Sequence, residues 1–476
     1  MNGLTAAAGA AWPAREALSI QPAQALRAGH FTAVPRVLHA RRRALATLAA
    51  LIIAALAALL PPLHGLPLGG YAAIACVLAA AVLGVPPLAR GLAKALPDFS
   101  AVPLALARAR LLAEPGFASR SAAGVLAATA LIVAMAVMVS SFRVSVDRWL
   151  GDVLPAELYI RGDRDRAWPT DIEARLAAVP GVARLETIRH RSLLLRADLP
   201  PVALIARPLP DDVGRVLPRV GASAPRGVLP QVWASEAMAD LYGWRPGQEV
   251  MLPVTGQALH VQVAGLWRDY ARQHGAVVMD LARYRTLTGD HAADDFGLWL
   301  DAGSDASATA DALRSASGLG DSLELTSSEE VRRLSLGVFD RTFAATYALE
   351  AASALIGLAG IAAAFAASAS ARTREFGLLR HVGCTRRQIA AQLAAEGLLS
   401  ALPGLLLGLL AGFAMSALLI EVVNRQSFHW SMDWVVPWGW LVLIVLAMLA
   451  ASTLAAIVGA RGALGVAAVR AVKSDG

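Results

Sequence analysis

The chain has 476 residues, of which 56% are hydrophobic and only 17% charged, with a mean hydropathy of +0.53. These values lie outside the range of soluble globular domains and indicate an integral membrane protein. A formal net charge of +7 does not call for a nucleic-acid partner, because much of the excess sits in short segments beside apolar runs, where the positive-inside bias places it.

Residues 1–43 have no charged n-region, adjacent h-region or cleavage site of a secretory signal. Within them AREALSIQPAQAL, from residue 14, repeats in ARGALGVAAVRAV, from residue 460, with Ala14/Ala460, Arg15/Arg461, Ala17/Ala463, Leu18/Leu464 and Ala25/Ala471 identical. Both copies are rich in alanine, so the internal repeat is a short one. Apolar runs at 44–60 and 71–89 predict a helical hairpin, each arm near the minimum for about 30 Å of hydrocarbon. A basic segment with Arg90, Lys94, Arg108, Arg110 and Arg120 follows, then a third span at 122–142.

The pattern changes at residues 143–341, which hold 23 of the 43 basic residues and are long enough for a core of their own. AELYIRG, LETIRHRSLLL, EVMLPV, HVQVAGLW, FGLWLDA and SLELTSS read as strands; TDIEARLAAVPGV, ASEAMADLYG and DASATADALRSA read as helices between them. This alternation predicts an α+β domain. Three further spans close the chain, at 343–371, 397–420 and 435–460, and Trp430, Trp434, Trp438 and Trp440 between the last two read as an interfacial aromatic belt. The segments expected inside hold nineteen Lys and Arg residues, and the two short outer loops hold only Arg425. Six spans with both termini cytoplasmic and the α+β domain outside satisfy this asymmetry. Cys76 in an apolar run and Cys384 in a basic loop cannot bridge each other across a membrane.

The most specific stretch is SASARTREFGLLRHVGCTRRQIAAQLAAE, in which Arg372, Arg374, Arg380, Arg386 and Arg387 follow directly on an apolar run. Phe376, Leu379 and Val382 recur every third residue, giving a short helix an apolar stripe with Arg374, Glu375, Arg380 and His381 around it and Gly377 and Gly383 at its ends. On charge alone it is a basic loop that fixes topology. The string itself closely resembles the cytoplasmic loop of FtsX-like (MacB-type, type VII) ABC transporter permeases, where it forms the coupling helix. The resemblance implies that 372–389 is such a helix and that Arg374, Glu375, Phe376, Gly377, Leu379, Arg380, Gly383 and Gln388 dock on a separate ATPase. It also implies that residues 122–476 form one FtsX-like unit, with a MacB-like periplasmic domain at 143–341 and three spans in 342–476. Pro13, Ala14, Arg15, Ala17, Pro22, Ala23, Ala25, Leu26 and Arg27 are similar to the tail of a preceding permease domain, with 44–89 as a linking hairpin and 90–121 as a cytoplasmic loop. The chain is therefore expected to be the carboxy-terminal part of a ten-span, two-domain permease.

Glu350 and Glu396 are acidic groups in or near the bilayer, functional candidates that also have a route to water by snorkelling. Gly404, Gly408 and Gly412 line one helix face beside Pro403, a small-residue surface for close packing within the chain or between chains. No P-loop, H-E-x-x-H, C-x-x-C or G-x-S-x-G string is present and the nine histidines are scattered, so no catalytic or metal site is expected. The expected function is that of a permease subunit in a bacterial inner membrane. ATP and Mg would be held by a dimeric ATPase partner, and a second permease half or copy would complete the assembly. The outer domain would export or extract a lipid, lipoprotein, peptide or similar amphiphile. The alternatives are mechanical activation of a periplasmic partner such as a cell-wall hydrolase, and a truncated, non-functional fragment.

Overall fold

The computed structural model describes residues 36–97, 99–113, 115–162, 168–169, 171–254, 257–318 and 323–464. The amino-terminal tail and the first copy of the repeat lie outside these residues, as does the second copy beyond Leu464. The chain divides into two units, residues 1–46 and 47–476. The boundary falls within the first helix, α1 (Arg36–Ala58).

From residue 47 onward the fold is a helical bundle carrying a sheet domain. The bundle comprises the end of α1, α2 (Leu68–Ala95), α3 (Val102–Ala113) and α4 (Pro115–Val153), and resumes after the sheet domain with four more helices described below. Among the described residues five helices are long and apolar enough to cross a membrane, within 68–95, 122–153, 328–369, 386–428 and 438–458. The sixth expected span, 44–60, is helical only to Ala58, and α1 carries Arg41, Arg42 and Arg43 within its length, so its apolar part is short.

The sheet domain is narrower than the 143–341 read from composition, because membrane helices run on beyond the apolar segments at both of its borders. Its elements are β1 (Leu158–Arg161), α5 (Ile172–Ala177), β2 (Val182–Leu193), β3 (Val202–Arg207), β4 (Arg219–Val220), β5 (Gln231–Ser235), α6 (Glu236–Tyr242), β6 (Glu249–Val254), β7 (Gln257–Trp267), β8 (Ala276–Asp280), α7 (Leu281–Thr288), β9 (Asp295–Leu300), α8 (Ala306–Ser317) and β10 (Glu324–Ser327). Every strand and helix named from the sequence is present. The ten strands form one mixed sheet in the order β10-β1-β9-β2-β3-β8-β5-β7-β4, with β6 on β7. Its pairings are antiparallel except β3 with β8 and β5 with β7. Two cores divide it into lobes. Ile160, Leu176, Phe296, Leu298 and Leu313 gather the β10-β1-β9-β2 side under α5 and α8. Leu204, Met238, Val263, Val277 and Tyr284 gather the β3-β8-β5-β7 side under α6 and α7.

After β10 the bundle resumes with α9 (Ser328–Ala371), whose start is capped by Ser327 accepting from the Glu330 amide. Next come α10 (Thr373–His381), α11 (Arg386–Ala417), a π-helical continuation at Leu418–Asn424, α12 (Arg425–Phe428) and α13 (Trp438–Leu464). Val125, Ile361, Phe365, Leu405, Met448 and Ala456 draw α4, α9, α11 and α13 round one apolar core. Glycines set the spacing. A Cβ on Gly404 would lie 2.6 Å from the Ala122 oxygen, one on Gly408 2.8 Å from Thr129 Cβ, and one on Gly412 2.6 Å from Val133 Cβ. The small-residue face of α11 is therefore occupied by α4 of the same chain. Pro403 lies inside α11 without ending it.

Candidate functional site: the loop between α9 and α11

The site forms where the chain reverses between two long helices. The last turn of α9 gives way at Arg372, α10 runs nine residues, and Gly383 turns the chain at φ +101°, a conformation that favours glycine. Its amide donates to the Arg380 oxygen at 3.2 Å and that of Cys384 to the Leu379 oxygen at 2.9 Å. Thr385 then opens α11 with a capping box, its hydroxyl accepting from the Gln388 amide while the Gln388 side chain accepts from the Thr385 amide at 2.8 Å. Gln388, expected at a docking surface, is thus employed in starting a helix. Gly377 is buried within α10 and does not mark its end.

The apolar stripe predicted for α10 divides. Phe376 is only 3% exposed and packs on Ala369, Ile389 and Leu393, with Leu379 and Cys384 beside it. It anchors α10 to its own bundle and does not reach outward to a groove in another protein. Val382 is 84% exposed and Leu378 56%, and with the exposed Glu375 they make an i, i+3, i+7 stripe on the free side of the helix. Arg380 is half-buried beside this face.

Beneath α10 lies a buried ionic network. Arg372 donates two hydrogen bonds to Glu375, both at 2.7 Å, and from Nη1 reaches Glu396 Oε2 at 3.0 Å and Oε1 at 3.3 Å. Gln392 Nε2 donates to Glu396 Oε1 at 3.0 Å, and Arg110 Nε of α3 lies 3.6 Å from Glu396 Oε2. Arg110 also donates to Ser368 Oγ of α9 at 3.1 Å, and the Arg372 guanidinium lies 4.9 Å from the centroid of the Phe376 ring. Glu396 is 1% exposed, so it does not snorkel to water; its charge is met inside the protein by two arginines and an amide. The Arg372 hydrogen bonds, opposed by burial, hold the Glu375 carboxyl below its ordinary range. Sequence reading named Glu375 and Glu396 but missed Arg110 and Gln392, and gave Arg372 only a topological role. A lone carboxylate in an apolar run demands a counter-charge, and that demand was the available signal.

Glu350 is also buried, on α9, and its Oε1 has no hydrogen-bond partner among the described residues. It stands apart from the loop, and the snorkelling expected of it is not seen. Among the described residues no three His, Cys, Asp or Glu side chains gather as a metal site requires.

The FtsX-like permease C-terminal family model matches residues 348–467, which include the whole loop. An uncharacterized ABC transporter permease protein of Mycobacterium tuberculosis is 26% identical over 331 residues, covering 65% of this chain and 38% of that protein. The chain thus matches well under half the length of this relative. Among solved structures, the extracellular domain of the noncanonic ABC-type transporter YknZ from Gram-positive bacteria covers 36% of this chain and 98% of its own, at 12% identity and a TM-score of 0.26. The periplasmic region of MacB from Actinobacillus actinomycetemcomitans covers 39% and 94%, at 10% identity and a TM-score of 0.29. Residues 348–467 thus resemble the C-terminal domain of FtsX-like permeases, and the chain is similar over 331 residues to part of an ABC transporter permease.

Proposed function

We propose that this chain is the permease subunit that converts ATP hydrolysis on a separate ATPase into movement of its sheet domain. The observation that carries this reading is the two-sidedness of α10. One side is welded to the bundle through Phe376 and the Arg372–Glu396 pair, and the other presents Glu375, Leu378 and Val382 outward. A short helix held rigidly on its inner side and apolar on its outer side is suited to receive a push from a docked protein and pass it to α9 and α11. ATP and Mg belong to the ATPase, and a second permease half or copy engages the second ATPase of the pair. The core among α4, α9, α11 and α13 is filled by apolar side chains, which favours a mechanism in which helices move over one in which cargo threads a single chain. The cargo class we propose is an amphiphile, a lipid, lipoprotein or peptide, handled by the sheet domain on the periplasmic side. Leu378→Glu with Val382→Glu should abolish capture of the ATPase in detergent while leaving expression and thermal stability unchanged, because both side chains already face outward. Undiminished capture by the double variant would overturn the reading.

A further inference from the structure

Two bundle helices, α11 and α13, have no covalent connection to the sheet domain, since α4 leads into β1 and β10 leads into α9, all within the first lobe. The segment joining α12 to α13, residues 429–437, nevertheless lies against the second lobe. It leaves α12 through His429 at φ 60° and runs without helix or strand, and three alternate amides are met by side chains. Ser431 N donates to Glu236 Oε2 at 2.9 Å, Asp433 N to Ser145 Oγ at 3.0 Å and Val435 N to Ser141 Oγ at 3.0 Å. Glu236 belongs to the second lobe, whereas Ser141 and Ser145 lie one turn apart on α4 and are buried. Tyr270, just beyond β7, donates to the Ser431 oxygen at 2.9 Å, and burial pushes its phenol up to about 12, so it remains a donor. Asp433 is held between Arg268 of the second lobe at 3.0 Å and Arg148 of α4 at 3.5 Å.

Apolar contacts reinforce the polar ones. Trp430 is 5% exposed and stacks on Phe428 at 5.1 Å and Phe142 at 6.4 Å, with Tyr270 edge-on at 5.5 Å. It is therefore not part of the aromatic belt to which its sequence position assigned it, whereas Trp434, Trp438 and Trp440 are exposed. The joint is also incompletely satisfied. Trp430 Nε1, Trp149 Nε1, Ser431 Oγ and Arg268 Nε are buried without a hydrogen-bond partner among the described residues.

We propose that residues 429–437 are a clasp fastening the second lobe to the bundle, with Asp433 as its positioning residue, so that displacement of α11 and α13 is delivered to that lobe. The delivery step rests on the coupling function proposed above; the fastening does not. The test uses the full chain in lipid nanodiscs, with Cys76 and Cys384 replaced by alanine and spin labels at the exposed Met251→Cys of β6 and Leu443→Cys of α13. Pulsed dipolar spectroscopy reads the distance between lobe and bundle. The parent should give one narrow distribution, Asp433→Ala with Ser145→Ala should broaden it, and Asp433→Glu should restore most of the narrowness. A second label pair confined to the lobe should stay unchanged in every variant, which separates unfastening from unfolding. An unbroadened lobe-to-bundle distribution in the Asp433→Ala, Ser145→Ala variant would overturn the clasp. With the ATPase bound, adding ATP should shift the parent distribution but not the variant's. An equal shift in both would overturn delivery through Asp433, whereas failure of the parent to capture ATPase would count against the coupling reading alone.

Discussion

The pair Arg372–Glu396 offers the sharpest energetic test of the loop. Removing one partner of a buried ion pair strands the other charge in a medium of low polarity, typically at a cost of about 3–5 kcal/mol. Here Arg372 keeps two hydrogen bonds to Glu375 when Glu396 is lost, which places Glu396→Ala near the lower end, at about 3 kcal/mol. Gln392 is buried and loses the acceptor of its amide at the same time, which adds about 1 kcal/mol. Glu396→Gln should be milder, since an amide oxygen can still accept from Arg372 and Gln392. Replacing both partners by apolar side chains of similar size, Arg372→Met with Glu396→Leu, removes the charge that each of these two single substitutions would strand, while Arg110 keeps its hydrogen bond to Ser368. It leaves Glu375 unpartnered at the exposed edge, a loss of about 0.5 kcal/mol.

The double variant should therefore be more stable than either single one, with a coupling energy of at least about 2 kcal/mol. Unfolding of the purified chain in mixed micelles by titrated dodecyl sulfate measures all corners of the cycle. Additivity of the two single effects would show that Arg372 and Glu396 do not meet in the folded protein and would overturn the loop geometry.

Two further outcomes follow from packing. Phe376→Ala should destabilise the chain by about 3–5 kcal/mol, because a nearly buried ring is lost from a small cluster. An effect confined to ATPase capture, with stability untouched, would instead place the ring in a partner. Gly412→Val should cost about 1–3 kcal/mol or more by forcing α11 off α4, since even a Cβ there would lie 2.6 Å from Val133 Cβ and 3.0 Å from the Ala130 oxygen. Unchanged dodecyl sulfate unfolding in that variant would contradict the close approach of the two helices.

The membrane helices and strands β1, β2, β6, β7, β9 and β10 were legible because each carries a local signal, an apolar run or an alternation of apolar and polar residues. Strands β3, β5 and β8 were passed over for a physical reason. VALIAR, QVWAS and AVVMD are almost wholly buried, and a strand covered on both faces has no alternation to announce it. Trp430 was misplaced because hydropathy scores removal from water, and burial against protein and burial in lipid look the same on that scale. The ionic network was out of reach in another way. Arg110 and Glu396 are brought together only by the packing of α3 against α11, and no local pattern in a single sequence encodes that encounter.

The π-helical turn at Leu418–Asn424 joins the end of α11 to the segment that enters the clasp. Below it, α11 lies so close to α4 through Gly404, Gly408 and Gly412 that it cannot roll about its axis without clash. Above it, the chain enters the clasp in a fixed register, with Ser431, Asp433 and Val435 presenting their amides to Glu236, Ser145 and Ser141. A π turn holds more residues per turn than an α turn. Its conversion to α geometry would rotate everything beyond it by a large fraction of the roughly 100° that one helical residue spans. Those three amides would then turn away from their acceptors. The wide turn is wedged against α2, where a Cβ on Gly70 would lie 2.7 Å from Val423 Cγ2, so the glycine leaves room for the π geometry that any larger residue would contest. The register of the clasp thus rests on a contact with α2, at Gly70.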